Sequence, residues 1–367
     1  MTTSEIIRIV LAAIAAGILF YRIWQSRNKD DIEKRRRMQA QKEARAKKQE
    51  ARKEAIREAK EKAEAKRTMT SEILQRDLGA LSQKSVTAAK QTIWYLEGGQ
   101  PTNPTVLLLH GFAGHKEDWA EVGKQLVRRG FHVVVPDLPG FGQNRRYPEA
   151  PHDLTTQTKR VHAFAKTLGL SPFHLVGASL GGSIATVYAY SAASEIRSVA
   201  LIEPLGVRSP QESELDQYLA RDMNPLLIAN VAAYDNLLSF LFVNPPPLTP
   251  DLKNVRAEAA AENRELYLKM WQEITTGERA DLVDMLISQV EHNMLVIQGA
   301  QSRVVHPMTA ELIARRAKNG RAVVVEGCGH FVAAEKPSEV AEHLLDFLGS
   351  VQGAQHHTPS PLPQAGP

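Results

Sequence analysis

The sequence predicts an α/β protein with a mostly parallel central sheet and a helical lid, preceded by a transmembrane helix and a long charged helix. Three observations carry this reading. Between about residues 90 and 350, short β-branched or wholly apolar runs alternate with longer helical stretches, the pattern of strands covered on both faces by crossover helices. One of these runs leads through a glycine-flanked serine into a helix. Ahead of them stand an apolar stretch and then a highly charged one.

The chain has 367 residues, 43% hydrophobic and 23% charged, which excludes collagen-like, disulfide-scaffold and wholly disordered chains. Its net charge of +4 is unevenly placed. Residues 27–67 hold 17 Lys/Arg against 9 Asp/Glu, a net +8, whereas residues 68–367 hold 26 against 31, a net −5. The basicity belongs to one segment, which argues against a nucleic-acid groove on the folded domain. Cys328 is the only cysteine, so no disulfide forms within the chain.

Ile6 to Trp24 is mostly Ile, Leu, Val and Ala. As a helix rising about 1.5 Å per residue it reaches roughly 28 Å, close to the hydrocarbon thickness of a bilayer. Arg8 and Arg22 near its ends can snorkel, and Tyr21 and Trp24 suit the interface. The start MTTSE lacks the basic region of a cleaved signal peptide. Residues 1–26 therefore read as a single-pass anchor in the lipid bilayer, and the basic cluster Lys29 and Lys34 to Arg37 places the rest in the cytoplasm. Residues 27–68 read as a charged helical stalk, with Glu33–Arg37, Glu43–Lys47 and Glu58–Lys62 in the favourable i,i+4 orientation. Such a stalk can act as a spacer, lie on anionic lipid or self-associate, although no sustained apolar heptad supports a strong coiled coil.

The expected strands are QTIWYL (91–96), TVLLLH (105–110), HVVVPD (132–137), FHLVG (173–177), SVALIE (198–203), MLVIQG (294–299) and AVVVEG (322–327), with helices over 117–129, 155–168, 180–193 and 337–348. Residues 204–290 break the alternation and read as a largely helical lid within an α/β domain spanning 69–350. Residues 351–367, rich in Pro and Gln, read as a disordered tail.

Gly177-Ala178-Ser179-Leu180-Gly181 is the motif that carries chemistry. G-x-S-x-G alone is a weak signal, but between a strand and a helix it describes a sharp turn that lifts a serine hydroxyl above the sheet, with glycines where the backbones converge. A serine needs a base to become nucleophilic, and His330, in Glu326-Gly327-Cys328-Gly329-His330-Phe331 just after the last strand, is the candidate. The developing oxyanion needs preorganised donors. Leu180, at the start of the helix after the serine, offers one N–H, and Phe112, in the loop after the 105–109 strand, the other. There is no H-E-x-x-H or C-x-x-C and no dinucleotide fingerprint, so no metal or cofactor is expected.

LLLHGFAGHKEDW (107–119), VVVPDLPGFGQN (133–144), FHLVGASLGG (173–182) and EGCGHFVAAEKPSEV (326–340) resemble the α/β-hydrolase superfamily over roughly residues 90–350. With its N-terminal anchor, the layout is similar to membrane-bound monoacylglycerol lipases and related serine esterases. The resemblance implies Ser179 as nucleophile, His330 as base and Phe112 and Leu180 as oxyanion donors. It also exposes a departure. The family's acid usually sits in a G-x-x-D-x-V stretch after the strand before the last, and here that stretch is Gly299-Ala300-Gln301-Ser302-Arg303-Val304. Serine occupies the acid's place, and a neutral hydroxyl cannot stabilise an imidazolium. Glu203, at the end of the 198–203 strand, preserves the order Ser, acid, His and is the expected replacement. Asp281 and Asp284 are weaker candidates, because they precede the next strand.

A serine nucleophile selects acyl chemistry. The tether and the apolar lid run Leu237 to Val243 point to a lipid-like ester, with Leu226, Leu227, Leu237, Leu238, Phe240, Leu241 and Phe242 as an acyl-binding wall. Two other readings stand beside this one. The same triad can cleave a carbon–carbon bond in ring-opened aromatic compounds. Alternatively, the chain is a membrane-tethered scaffold whose hydrolase site has decayed.

Overall fold

The structure is a computed structural model that describes residues 3–75, 78–144, 151–276 and 281–355, apart from the side chains of residues 3–10, 12, 30–32, 35, 59–75 and 352–355. The chain divides into two units at Met69/Thr70. The described residues of the first lie in a helix, α1 (Thr3–Gln75), which runs without a break through the expected anchor and stalk and ends six residues past that division. Its first stretch carries the apolar run Ile6–Trp24, part of which falls on side chains outside the described residues. Among the described residues no helix is long and apolar enough to cross a membrane. Of the expected ion pairs, Glu33–Arg37 forms at 2.6 Å with both side chains exposed, and Glu58–Lys62 lies partly outside the described side chains.

The second unit is built on an eight-stranded sheet in the order β1-β2-β4-β3-β5-β6-β7-β8. The strands are β1 (Leu81–Ala88), β2 (Gln91–Gly98), β3 (Thr105–Leu109), β4 (His132–Pro136), β5 (Phe173–Ala178), β6 (Ile196–Ile202), β7 (Asn293–Gly299) and β8 (Asn319–Val325). β1 and β2 are antiparallel to their neighbours, and β4 through β8 run parallel. Seven strands agree with the apolar runs to within a few residues. β1, LSQKSVTA, was not expected, because it is an edge strand buried only at Leu81 and Ala88 and so shows no apolar run.

Side chains alternate between two cores. Leu107, Leu109, Val199, Leu201 and Val296 pack on one face, under α3 (Leu154–Thr167), α4 (Leu180–Ser191) and α10 (Thr309–Arg316). Val106, Leu108, Ala200, Ile202 and Leu295 pack on the other, under α2 (Ala120–Arg128) and α12 (Pro337–Gln355). Both faces of the central strands are dry, which is why their sequences are continuously apolar rather than alternating. α12 continues to Gln355, so the first five residues assigned to a disordered tail are helical. The rest of that tail lies outside the described residues.

Between β6 and β7 the described residues form five α-helices, α5 (Glu214–Leu219), α6 (Tyr234–Leu241), α7 (Pro250–Glu262), α8 (Arg264–Thr275) and α9 (Leu282–Leu286). Ser213 caps α5 and Thr249 caps α7, each accepting a backbone N–H of the first turn.

A buried ion cluster stiffens the sheet beneath the loop after β3. Lys116, 1% exposed, places its Nζ 3.0 Å from Asp137 Oδ2, 2.7 Å from Glu117 Oε1 and 2.9 Å from Gln143 Oε1. Asp137 also accepts the Lys116 and Gln143 N–H groups. Removing one partner of such a cluster strands the other charges away from water. Lys116→Met is expected to lower unfolding stability by about 3–5 kcal/mol, measured by urea denaturation, whereas Arg315→Met, whose exposed side chain pairs with Glu311 at the surface, changes it by less than about 1 kcal/mol.

Candidate active site

The β5–α4 turn meets the geometry its glycines suggested. Ser179 has φ +51° and ψ −116°, a left-handed conformation that costs a non-glycine residue about 1–3 kcal/mol and persists only where the surroundings enforce it. Enforcement comes from backbone crowding and hydrogen bonds. A Cβ on Gly177 would lie 2.1 Å from the Gly181 carbonyl oxygen, and one on Gly181 2.3 Å from that of Leu109. The Ser179 N–H donates to the Ile202 carbonyl at 2.8 Å, and the Ser179 carbonyl receives the Ser183 N–H. The turn is thus pinned to the end of β6, one residue before Glu203.

Glu203 is fully buried and also has a positive φ, +50°. Its N–H donates to the Ile297 carbonyl of β7, which directs the side chain across the sheet edge. Oε1 accepts the Gly299 N–H at 2.7 Å, and Oε2 lies 2.5 Å from both the Ser302 hydroxyl, which donates to it, and Nδ1 of His330. Burial pushes this carboxyl above the usual glutamate range, against the opposing pull of His330 and the Ser302 and Gly299 donors. Ser302 therefore has a partner that its sequence position did not reveal: its hydroxyl fastens the Glu203 carboxylate. Asp281 and Asp284 are engaged elsewhere, with Arg208 and Arg316.

His330, 5% exposed, is held by its backbone as well as by its ring. Its N–H donates to the Leu241 carbonyl at the end of α6 at 2.8 Å. Gly329 lets the chains approach, since a Cβ there would meet that same oxygen at 2.5 Å. Glu335, in the short helix α11 (Val332–Glu335), accepts the N–H groups of Gly329 at 2.9 Å and Val243 at 3.3 Å. Gln301 and Cys328 exchange two hydrogen bonds. The buried Cys328 thiol, pushed up by burial and by Glu335, is the packing residue of this loop.

Ser179 and His330 line one cavity together with Phe112. Leu180 is buried at the first turn of α4, and Gly111 approaches so closely that a Cβ on it would be 3.1 Å from Ser179 Cβ. His110, beside it, has Nε2 accepting the Leu138 N–H and Nδ1 bonded to the Gly111 carbonyl, each at 2.8 Å. That network assigns the proton to Nδ1 and ties the β3 loop to the β4 loop.

The cavity is lined by Leu226, Leu237, Leu238, Leu241 and Phe242, but not by Leu227 or Phe240. Those two belong to the core. The Phe240 ring meets Tyr218 edge-on at 5.8 Å and carries the Arg303 guanidinium at 4.6 Å. Helical spacing explains the sorting: 237, 238 and 241 share a face of α6 that 240 does not. Tyr234, Leu248, Tyr267 and Phe331, which the sequence reading missed, also face this space. Among the described residues no group of three or more His, Cys, Asp or Glu could hold a metal ion.

Residues 104–337 match the alpha/beta hydrolase fold family. The chain is 31% identical over 277 residues to the monoacylglycerol lipase abhd6-A of Xenopus laevis, covering 72% of this chain and 81% of that one. It is 30% identical over 285 residues to Lipase 1 of Psychrobacter immobilis, covering 76% and 88%. A crystal structure of a bacterial membrane phospholipase A superposes with a TM-score of 0.74 at 34% identity, over 78% of this chain and 93% of that one. With this match over more than half its length, a parallel sheet of this order and a strained serine at the β5–α4 turn, the chain belongs to the α/β-hydrolase family.

Proposed function

We propose that this chain is a membrane-held serine hydrolase that cleaves carboxylic esters of lipid-like, monoacylglycerol-type substrates through an acyl-enzyme on Ser179. That it is a carboxylic ester hydrolase is supported by relatives named as lipases. The observation that carries the mechanism is the 2.5 Å contact between the buried Glu203 carboxylate and His330 Nδ1, with Ser179 on the same cavity as the ring. With Nδ1 engaged, Nε2 is the nitrogen left to take the serine proton. Attack gives a tetrahedral oxyanion that the Phe112 and Leu180 N–H groups receive. Proton return to the leaving alcohol releases it, and water activated by His330 then frees the acid. Glu203 holds the tautomer and stabilises the imidazolium.

The cavity holds about 100 Å³ of open space, well below the roughly 300–1,000 Å³ of ordinary ligand sites. The insertion between β6 and β7 is therefore a lid that moves to admit an acyl chain against Leu237, Leu238 and Leu241. Ile6–Trp24 is the bilayer anchor, with the basic stalk behind it on the cytoplasmic side. A decayed scaffold is disfavoured, because a strained serine and a buried carboxylate are both costly features to retain without use.

Three outcomes test the proposal. A fluorophosphonate probe labels the wild type and not Ser179→Ala, read by mass spectrometry; a silent serine would favour the scaffold. Glu203→Gln lowers kcat on a monoacylglycerol by about 10³–10⁴-fold and Ser302→Ala by about tenfold, in steady-state assays; near-native turnover in Glu203→Gln would end the acid assignment. Deleting residues 1–26 moves the protein from the membrane pellet to the supernatant while p-nitrophenyl ester turnover persists, with sedimentation and assay as the readouts.

A further inference from the structure

The cavity that holds Ser179 and His330 is not apolar throughout. His115, Asp118, Tyr234 and Arg256 also line it, and Asp118 lines a second cavity that Ser179 and His330 share. Arg256, on α7, places Nη2 3.1 Å from Asp118 Oδ1. The other oxygen of Asp118 accepts the His115 N–H at 2.8 Å. Gly114 makes room for it, since a Cβ there would sit 3.0 Å from that oxygen. Although ion-paired, the guanidinium leaves its buried Nε–H without any acceptor, and buried donors are normally filled.

The charge balance limits what can fill it. Arg256 is offset by Asp118. Lys116, close by in sequence, is already shared by Asp137 and Glu117. Burial, together with the Arg256 guanidinium, holds the His115 ring down to about 4, so at neutral pH it adds no charge. Burial would raise Asp118, but Arg256 and His115 hold it below the usual carboxylate range. The wall therefore presents strong donors and a strong acceptor with no surplus of positive charge. A phosphate or carboxylate would face the Asp118 carboxylate uncompensated. A plain alkyl group would leave every polar atom unused. A hydroxyl both donates and accepts, and two adjacent hydroxyls can bridge Arg256 and Asp118.

We propose that Asp118 and Arg256, with the Tyr234 hydroxyl beside them, form a subsite that takes a neutral polyol, the glycerol of the ester's alcohol half, in preference to a phosphate-bearing or plain alkyl alcohol. The inference rests on the serine-hydrolase reading above. It makes the pair a specificity device as well as a tie between α7 and the loop after β3. A tie alone would affect all esters alike.

The test compares kcat/KM of the full chain on three esters of one fatty acid: the glyceryl ester, the methyl ester and the acylglycerol phosphate. The wild type favours the glyceryl ester over both others. Arg256→Met lowers the glyceryl-to-methyl ratio about tenfold, as expected for losing hydrogen bonds to a charged group. Asp118→Asn, which leaves the guanidinium uncompensated, shifts the ratio toward the acylglycerol phosphate by a similar factor. Should Arg256→Met not fold, Arg256→Lys and Tyr234→Phe read the same glyceryl-to-methyl ratio, each with a several-fold fall. Equal slowing of glyceryl and methyl esters in these variants, or a wild type that cleaves the phosphate ester as well as the glyceryl one, overturns the subsite. Methyl-ester turnover with an unchanged ratio removes this inference alone. A chain that turns over none of the three and leaves Ser179 unlabelled removes the parent reading and the subsite with it.

Discussion

A carboxylate taken out of water is tolerable only where donors replace its hydration, and the site is organised around how Glu203 meets that condition. Three groups converge on it from two elements: the Gly299 N–H and Ser302 hydroxyl at the end of β7, and the His330 ring from the loop after β8. Each also fixes something else. Gly299 is where β7 and the His330 loop touch, since a Cβ on it would lie 2.1 Å from the Gly329 carbonyl oxygen. The strained φ of Glu203 and that of Ser179 are linked through Ile202, whose carbonyl receives the Ser179 N–H. The proposed nucleophile and acid thus sit at the ends of the neighbouring strands β5 and β6, joined through Ile202, and His330 is held beside them by the carboxylate and by the Leu241 carbonyl.

The proposed relocation of the acid has a physical logic. At the end of β7 an aspartate would sit directly beneath the loop that carries the histidine. From the end of β6 the carboxylate must cross to the neighbouring strand, and glutamate's additional methylene together with the left-handed backbone supplies that reach. The vacated position does not become apolar. A serine there donates to the newcomer, which a buried acceptor needs and a valine or alanine would not provide.

The fold was legible because its central strands are dry on both faces, so their sequences run continuously apolar. β1 was not, since an edge strand with water on one side carries polar residues such as Gln83 and Lys84. At the site, Ser179, His330 and the neighbouring Glu203 carry local signatures: glycine spacing, a loop after a strand, a carboxylate closing an apolar run. What stayed hidden depends on pairs far apart in sequence. Ser302 read as a vacancy until Glu203 was seen 99 residues away in contact with it. Phe240 could not be separated from Leu238 without knowing which side of α6 faces the serine, and Leu226 and Leu227, adjacent in the segment ahead of α6, have no helical period to separate them. Asp118 and Arg256 carry no local signature, because their contact joins the loop after β3 to α7.

The loop from His110 to Trp119 shows how the remaining polar residues serve the same centre. Oxyanion donors act by being already in place, because reorienting a dipole during reaction consumes the stabilisation it gives. Gly111 and Gly114 give the loop backbone little stiffness of its own, and Ala113 adds a positive φ of 54°. Its rigidity comes from the Phe112 ring, packed edge-on against Phe141, Tyr267 and Trp271, and from three polar ties: the His110 ring to the Leu138 N–H, Lys116 to Asp137, and Asp118 to Arg256 on α7. The first two bind the loop to the sheet. The third binds it to the insertion, so α7 and the loop after β3 are held in register by the Asp118–Arg256 pair. In the proposed mechanism the position of the Phe112 N–H, the closure of the insertion and contact with the alcohol half of the substrate would all meet in that one ion pair.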